Sequence, residues 1–284
     1  MEATSSLDSS SRKDILREQV WQAVEPFVDG PKPLQGRIPN FKGAKEAARN
    51  LTKTKEFKNA KVIKVHPSLN ATSFREYVLR SGKILLVPPL PGHDFLYFRV
   101  DSSSVRNEKY NWAAQKRGFN RIGVRLKLNE IPRIDLFVVA ATVVSLEGCR
   151  AGKGKGYGEV EWAIAREIGV VDFSTPVATL VHDVQIVDSS NFSCDMMEPH
   201  DLPVDIIATP TQLLRCHPPR NRNKSNENNF ASNSELSKPK GVLWDKIDNQ
   251  MENDIGAIKL LKSYLEETQM KQEGEILHNQ TLAT

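Results

Sequence analysis

Cysteine is scarce in this chain of 284 residues, which has only Cys149, Cys194 and Cys216. Three widely spaced cysteines fit neither a disulfide framework nor a metal site built from a Cys-x-x-Cys pair. We therefore expect a reducing location, cytoplasmic or nuclear.

Long apolar runs and a strong net charge are also missing. No run approaches the ~18 apolar residues of a membrane span. The polar start, residues 1–11, lacks the apolar stretch of a secretory signal. The 39 Lys and Arg residues nearly balance the 35 Asp and Glu residues, for a formal charge of +4. That charge alone does not argue for nucleic acid or for an anionic membrane, so we expect a soluble protein with no membrane partner.

Apolar segments that alternate with helical patterns are what the sequence does contain. The predicted buried strands are 62–65, 84–87, 134–141, 177–181 and 204–207. The predicted helices are 12–27, 43–51, 73–80, 104–116 and 159–168. This alternation is typical of an α/β fold with a mostly parallel central sheet covered by helices on both faces. We expect the strand at 134–141 inside the sheet and a ligand at the carboxyl ends of the strands.

Composition divides the chain into five predicted parts. They are a disordered leader (1–11), the α/β domain (12–215), a flexible linker (216–237), a segment with an amphipathic helix that docks on the domain (238–265) and a disordered tail (266–284). All four tryptophans are interpreted as packing residues, and Trp244 and Leu261 are expected to pack on the main domain.

The sharpest motif is Arg-Ala-Gly-Lys-Gly-Lys-Gly-Tyr at residues 150–157, between a strand and a helix. Alternating glycines let the backbone approach a ligand closely. The first N–H groups of the following helix attract anions, and Arg150, Lys153 and Lys155 add positive charge. The motif predicts a phosphate or carboxylate cradle, with a plain Gly/Lys surface loop as the alternative. Its spacing matches neither a Walker A loop nor a Rossmann fingerprint.

Two further polar motifs admit an ordinary structural interpretation. The segment from His200-Asp201 to Thr209-Pro-Thr211 places hydroxyls at the end of a strand, where α/β ligands bind. A turn followed by a helix N-cap explains the same residues and is the favoured interpretation. His182-Asp183 is either an acid–base pair or a hydrogen-bonded structural pair.

These motifs, in this order, resemble the 5-formyltetrahydrofolate cyclo-ligase family. Residues 150–157 are similar to its Arg-Leu-Gly-x-Gly-x-Gly-Tyr-Tyr-Asp-Arg signature, and residues 200–209 to its closing His-Asp-x-Pro-Leu-Asp-x-x-x-Thr segment. Lys13-x-x-Leu16-Arg17 is similar to its first-helix motif. The segments 37–43, 181–188 and 238–244 more specifically resemble the divergent branch called methenyltetrahydrofolate synthetase domain-containing proteins. The resemblance covers about residues 12–247.

The resemblance implies a fold of the ribose-phosphate isomerase and CoA-transferase class. It also implies a reaction of one-carbon metabolism, in which 5-formyltetrahydrofolate becomes 5,10-methenyltetrahydrofolate with ATP and Mg²⁺. The formyl oxygen attacks the γ-phosphate of ATP, and the folate N10 then displaces phosphate from the activated carbon.

The family also implies roles for individual residues. The implied ATP-binding residues are Lys13, Arg17, Arg150, Gly152, Lys153, Gly154, Lys155, Gly156 and Tyr157. Tyr157 and Glu159 are the implied catalytic residues. Glu159 stands where the signature has its Asp and is the implied Mg²⁺ ligand.

Departures from the family pattern leave two functions open. Gly158 replaces the second Tyr of the signature, Val160 replaces its closing Arg, and Ser68 stands where the family has a Glu that meets the pterin. Nucleotide binding is therefore better supported than folate turnover. The first function is an ATP-dependent ligase with weak activity on a reduced folate or a related N-formyl compound.

The second function is a binding protein without turnover, nucleotide-binding or linked to RNA. Longer members of the branch carry a C-terminal RNA recognition motif, but no segment here matches its aromatic pattern. Only the stretch Arg220–Lys224 offers RNA a contact, which would be purely electrostatic.

Overall fold

The computed structural model describes residues 8–30, 32–106, 109–216 and 236–282, with side chains as far as residue 270. Within these residues, eleven strands form two sheets. In chain order the strands are β1 (Val62–Val65), β2 (Ile84–Val87), β3 (Phe98–Asp101), β4 (Val124–Arg125), β5 (Leu136–Val138), β6 (Val143–Ser145), β7 (Arg150–Ala151), β8 (Val177–Leu180), β9 (Ile186–Val187), β10 (Ile206–Ala208) and β11 (Leu213–Arg215).

The main sheet has eight strands in the order β11-β10-β8-β5-β1-β2-β3-β4. The strands from β10 to β2 pair in parallel, whereas β11, β3 and β4 add antiparallel edges. Strand β5 lies between β1 and β8, so the predicted interior position of this segment is confirmed. The predicted α/β class with a mostly parallel sheet is confirmed as well.

Helices flank the two sheets: most cover the faces of the main sheet, and the first packs on the second, smaller sheet. They are α1 (Ser9–Val24), α2 (Ala44–Thr52), α3 (Lys55–Asn59), α4 (Thr72–Arg80), α5 (Tyr110–Ala113), α6 (Lys116–Ile122), α7 (Tyr157–Glu167), α8 (Asn249–Asp254) and α9 (Ala257–Leu282). Successive strand residues point to opposite faces. Ile63 and Val65 therefore pack with α2 and α4, while Phe137 packs on the other face with Trp162 of α7 and Leu261 of α9.

A small second sheet joins α1 to the domain. Strand β6 pairs with β7 in antiparallel fashion and with β9 in parallel fashion. Leu16 and Val20 of α1 pack on Val143, Ala151 and their neighbours. Strands of two or three residues are too short for hydrophobic periodicity to reveal, and sequence analysis did not predict this sheet.

Several predicted boundaries differ from the structure. Helix α1 begins at Ser9, inside the predicted leader, because the Asp8 carboxylate caps it by accepting from the Ser11 backbone N–H at 2.7 Å. The single helix predicted at 104–116 is wrong: a 3-10 turn at Ser102–Ser104 precedes α5 and α6. Strand β3 was missed although its burial alternates, with Phe98 and Val100 buried.

The C-terminal segment packs on the α7 face. Leu261 is fully buried, as predicted, but Trp244 is 39% exposed and its ring lies beneath the Lys262 ammonium. Trp112 is exposed to a similar extent, so only Trp21 and Trp162 are buried packing residues. Helix α9 continues through 266–282, where a disordered tail is predicted; Glu and Gln, which are frequent here, favour helix.

Two predicted parts of the chain cannot be compared with the structure. Residues 1–7 of the leader and 217–235 of the linker, including the Arg220–Lys224 stretch, lie outside the described residues. No helix in the described part is long and apolar enough to cross a membrane.

Candidate active site

The main candidate site is a cavity of about 220 Å³ at the carboxyl ends of three neighbouring strands. Its lining includes residues 66–68 after β1, 88–91 after β2 and 139–140 after β5. These strands are parallel, so their carboxyl ends open on the same edge of the sheet. Ligand pockets typically measure ~300–1,000 Å³, so this cavity encloses only part of a ligand as large as ATP.

The glycine-rich loop forms one wall of the cavity. It leaves β7 at Ala151 and enters α7 at Tyr157, and Gly152, Lys153, Lys155 and Tyr157 line the cavity. Gly156 is the N-cap of α7 with φ +64°, and no side chain caps the helix. Its first N–H groups therefore remain available to an anion, as the sequence predicts.

Basic side chains meet at this loop. The Lys153 ammonium lies 5.0 Å from the centroid of the Tyr157 ring. Burial lowers the pKa of Lys153, and the charge of Lys155 lowers it further. The Arg17 Nε donates to the Gly152 carbonyl at 2.7 Å, so the first helix does reach the loop.

Arg150 and Glu159 neutralise each other below the loop. Arg150 is buried, forms an ion pair with Glu159, and donates from Nη1 to the Ala140 carbonyl at 2.7 Å and from Nε to the Leu202 carbonyl at 2.8 Å. Burial lowers the pKa of Arg150 to about 10. All three guanidinium nitrogens thus have protein partners, and Glu159 has a cation beside it.

Lys13 does not line the cavity. Its ammonium is buried and lies 2.6 Å from an Asp201 oxygen and 3.2 Å from a Glu198 oxygen. The first-helix motif and the His200-Asp201 motif therefore meet in an internal ion pair that ties α1 to the segment before β10. Such a buried charge must be paired to be tolerated.

The C-terminal segment completes the cavity wall. The Tyr157 hydroxyl donates to an Asp254 oxygen at 2.8 Å, and Asp254 and Ile255 both line the cavity. Burial, together with this hydrogen bond and the nearby Asp254 charge, raises the pKa of Tyr157 to about 12. Residues beyond the predicted α/β domain therefore contribute directly to its site.

A polar group at the sheet end of the cavity was missed by sequence analysis. His66, Ser68 and Glu161 line the cavity, and Lys64 lies buried behind Glu161 in an ion pair with it. A signal was available: Lys64 interrupts an apolar strand, and a charge on a buried strand requires a partner. Of these residues, only Ser68 was singled out from the sequence.

The other polar motifs have structural roles. The Asp183 Oδ1 accepts from the hydroxyls of Thr209 and Thr211, each at 2.5 Å, while the His182 ring stacks on Phe27 at a centroid distance of 4.4 Å. None of these residues lines the cavity at the strand ends. The hydrogen-bonded interpretation of His182-Asp183 therefore agrees with the structure. The helix N-cap expected at Thr209 or Thr211 is wrong, because these residues lie in the turn between the antiparallel strands β10 and β11.

The fold brings two of the three cysteines together. The sulfurs of Cys149 and Cys194 are 3.4 Å apart, and a Glu147 oxygen lies 3.5 Å from the latter. Both cysteines are free thiols. Sequence spacing concealed this contact because Cys149 lies in the turn between β6 and β7, and Cys194 lies in a separate turn packed beside that sheet.

The profile of the 5-formyltetrahydrofolate cyclo-ligase family matches residues 9–210. The chain belongs to this family. Curated relatives are named methenyltetrahydrofolate synthase domain-containing protein; the one from Bos taurus is 35% identical over 256 residues, and the one from Homo sapiens is 33% identical over 256 residues. The resemblance to this branch of the cyclo-ligase family is thereby confirmed.

The aligned region covers 89% of this chain but only 61% of the Bos taurus relative and 62% of the human one. The chain thus spans about three fifths of the length of these cyclo-ligase relatives. Among solved structures, the 5,10-methenyltetrahydrofolate synthetase of Aquifex aeolicus shares 18% identity with a TM-score of 0.44, covering 76% of this chain and 99% of that one. The family assignment rests on the sequence comparisons.

Proposed function

We propose that the chain is a divergent cyclo-ligase that binds ATP at the glycine-rich loop beside a reduced folate and turns over slowly. The observation that carries this proposal is the convergence of Lys153, Lys155 and the uncapped N-terminus of α7 on one wall of the cavity. Much of the remaining lining is apolar, with Leu96 and Ile255 among its members. Such a cavity suits a ligand pair with an anionic part and a flat organic part.

The loop supports binding of a phosphate through backbone and charge together. Gly154 has a φ of +86°, a conformation that side-chain-bearing residues rarely adopt, and a Cβ there would lie 3.8 Å from the Arg17 guanidinium. The loop backbone therefore passes close to a cation that reaches it from α1. Backbone N–H groups and flexible cations in one place are what a phosphate chain requires.

The described residues fit a protein-held Mg²⁺ ion poorly. Glu159, the predicted ligand, is paired with Arg150, and both Asp254 oxygens already accept hydrogen bonds. Glu161 is neutralised by buried Lys64, whose charge opposes a second cation beside it. Among the described residues, two clusters of side chains are close enough together to share a metal ion, and neither cluster lines this cavity. We therefore derive no catalytic step through a protein-bound Mg²⁺ ion and assign Glu159 to holding Arg150.

Tyr157 is proposed to hold the Asp254 carboxylate at the cavity wall through its hydroxyl and not to act as a base. Its raised pKa, about 12, keeps the hydroxyl protonated at neutral pH. Lys153, above the same ring, would neutralise charge that develops on the transferred phosphoryl group. Catalysis of phosphoryl transfer depends mainly on such positioning and charge stabilisation.

Slow turnover follows from two charged groups that the family has and this chain lacks. Ser68 lines the cavity at the position where the family has its pterin-binding Glu, so the carboxylate is absent from that place. Val160 is buried where the signature has its closing Arg, so one phosphate-binding cation is also absent.

Two measurements on the whole chain test the proposal. Calorimetry with ATP and Mg²⁺ should show binding, and 5-formyltetrahydrofolate with ATP should give methenyl product slowly, followed by its absorbance. Absence of ATP binding in a folded sample would reject the phosphate site. Rapid methenyl formation would reject the proposed slow turnover and establish a full cyclo-ligase.

A nucleotide-binding protein without turnover is the second candidate. The Arg150–Glu159 ion pair favours it, because it occupies the carboxylate that would meet a metal ion in the family's reaction. ATP binding without any methenyl product, over an enzyme concentration series, would select this candidate.

A further inference from the structure

An ion pair is buried behind the sheet end of the cavity. Lys64 of β1 has no exposed surface, pairs with Glu161 of α7, and holds its ammonium 4.0 Å from the centroid of the Phe137 ring. Burial lowers the pKa of Lys64, while the charge of Glu161 opposes that shift. The pair fixes the Glu161 carboxylate in one position, since removing either charge would leave the other buried and uncompensated.

Glu161 has one carboxylate oxygen left for a ligand. Its Oε2 binds Lys64, whereas its Oε1 makes no hydrogen bond within the described part of the chain. The residue lines the cavity, although it is 8% exposed. A buried carboxylate oxygen normally finds a donor, and here the cavity is where a donor can come from.

His66, in the lining of the same cavity, holds two further polar atoms without a partner. It follows Lys64 by two residues and is 3% exposed, and neither ring nitrogen has a hydrogen-bond partner among the residues described. Burial lowers the pKa of His66 well below 6.5, and the nearby charges of Arg75, Lys64 and Arg150 lower it further. The ring is therefore neutral, with one donor and one acceptor nitrogen.

We propose that Glu161 and His66 form a subsite for a flat, uncharged heterocycle whose edge carries adjacent N–H donors. The proposal rests on the proposed function, in which the 2-amino-4-oxo edge of the pterin of a reduced folate is such a group. The edge of adenine fits less well, because a ring acceptor nitrogen beside its amino group would face the carboxylate. The subsite therefore assigns the folate, and not the nucleotide base, to the sheet end of the cavity.

The subsite also explains how a cyclo-ligase could hold a pterin with Ser68 in place of the usual Glu. Ser68 and Glu161 line the same cavity, from the segment after β1 and from α7 respectively. A carboxylate is therefore present at this end, supplied by a different element and anchored by Lys64. Apolar lining residues such as Val139 and Leu96 would keep water from competing for it.

The decisive variant is the double substitution Lys64→Met with Glu161→Gln. It removes both charges while conserving volume, and replacing a whole buried pair is better tolerated than breaking it. His66→Phe provides a second, uncharged test. The controls are Glu56→Gln, which breaks an ion pair with Arg215 at the surface, and His182→Phe, which makes the same substitution at a histidine outside the cavity.

Calorimetry should use 5-formyltetrahydrofolate, 6-methylpterin and ATP with Mg²⁺, each against every variant, with a thermal melt to verify folding. In the double variant we expect affinity for both pterin compounds to fall about tenfold or more, the size typical of a lost charged hydrogen bond. ATP affinity should stay within about twofold, since phosphate binding lies at the loop and depends on other groups. His66→Phe should weaken the same two ligands, and both controls should bind all three ligands normally.

Three outcomes would overturn the subsite. Unchanged pterin affinity in folded double and His66→Phe variants would reject it and leave the proposed function intact. Failure of the wild-type chain to bind either pterin compound would reject the subsite and the folate half of the proposed function, while ATP binding would still report on the loop. Loss of ATP affinity with unchanged pterin affinity would place the nucleotide base, not the folate, against Glu161.

Discussion

Two sets of cations in this domain behave differently. Lys13, Lys64 and Arg150 are buried, and each has a carboxylate partner. Lys153 and Lys155 line the cavity, and neither forms an ion pair in the part of the chain that the structure describes. A signature rich in basic residues therefore divides into charges that hold the fold together and charges left for a ligand.

The strongest test of this division is Arg150→Met. It leaves Glu159 without its cation and removes donors from two carbonyl oxygens, so the free energy of unfolding should fall by ~3–5 kcal/mol. Urea titration measures this. Arg133→Met, which loses only a surface pair with Asp172, should cost less than ~1 kcal/mol. Similar losses in the two variants would show that Arg150 is not a structural cation.

Lowering the pH should reduce the free energy of unfolding through the buried histidine His66. The pKa of folded His66 lies well below 6.5, so below pH 6.5 the unfolded chain binds more protons and stability falls as the pH drops. Protonation of this one group should lower the free energy of unfolding by up to ~1.4 kcal/mol for each pH unit. His182 adds to it, because burial lowers its pKa too.

The stability measured by melts from pH 7.5 to 5 should therefore depend less on pH in His66→Gln than in the wild-type chain. An unchanged slope in His66→Gln would mean that His66 is charged, or exposed, in the folded chain.

At the loop, Gly154→Val should impair binding more than folding. A branched side chain at φ +86° strains the backbone that would meet phosphate, so ATP affinity should fall about tenfold or more, or ~1.4 kcal/mol. Gly82→Val is the matched control, because Gly82 has a φ of +73°, lies away from the cavity and has open space around it. Both variants should lose similar stability, and only the first should lose ATP. Equal ATP affinity in the two would argue against a loop site.

The smallest effects are expected from single loop cations. Lys153→Ala, Lys155→Ala and Arg17→Ala should each weaken ATP binding by ~1 kcal/mol or less, and the loss should shrink as salt is added. Lys13→Ala should instead lower the melting temperature and leave ATP affinity nearly unchanged, because Asp201 would lose its partner. A large, salt-independent loss of ATP affinity in Lys13→Ala would show that Lys13 contributes to ATP binding.

Sequence patterns predicted the parallel strands well because those strands are buried on both faces and therefore uniformly apolar. The segments 62–65 and 84–87 have the predicted bounds in the structure. The antiparallel edge strands and the small sheet were missed because their strands are short or exposed. Strand β4, for example, consists of only two exposed residues, Val124–Arg125. The glycine-rich loop was located correctly because its glycines and lysines follow one another in the sequence. A local pattern is therefore enough to reveal it.

The sequence by itself determined the α/β class, the family and the position of the glycine-rich loop. These follow from local patterns of burial, turn residues and ordered motifs. Only the tertiary structure decided which charges are free, because an ion pair joins residues as far apart as Lys13 and Asp201 or Lys64 and Glu161. Desolvation forces each buried charge to find a partner, and the identity of that partner depends on which elements pack together.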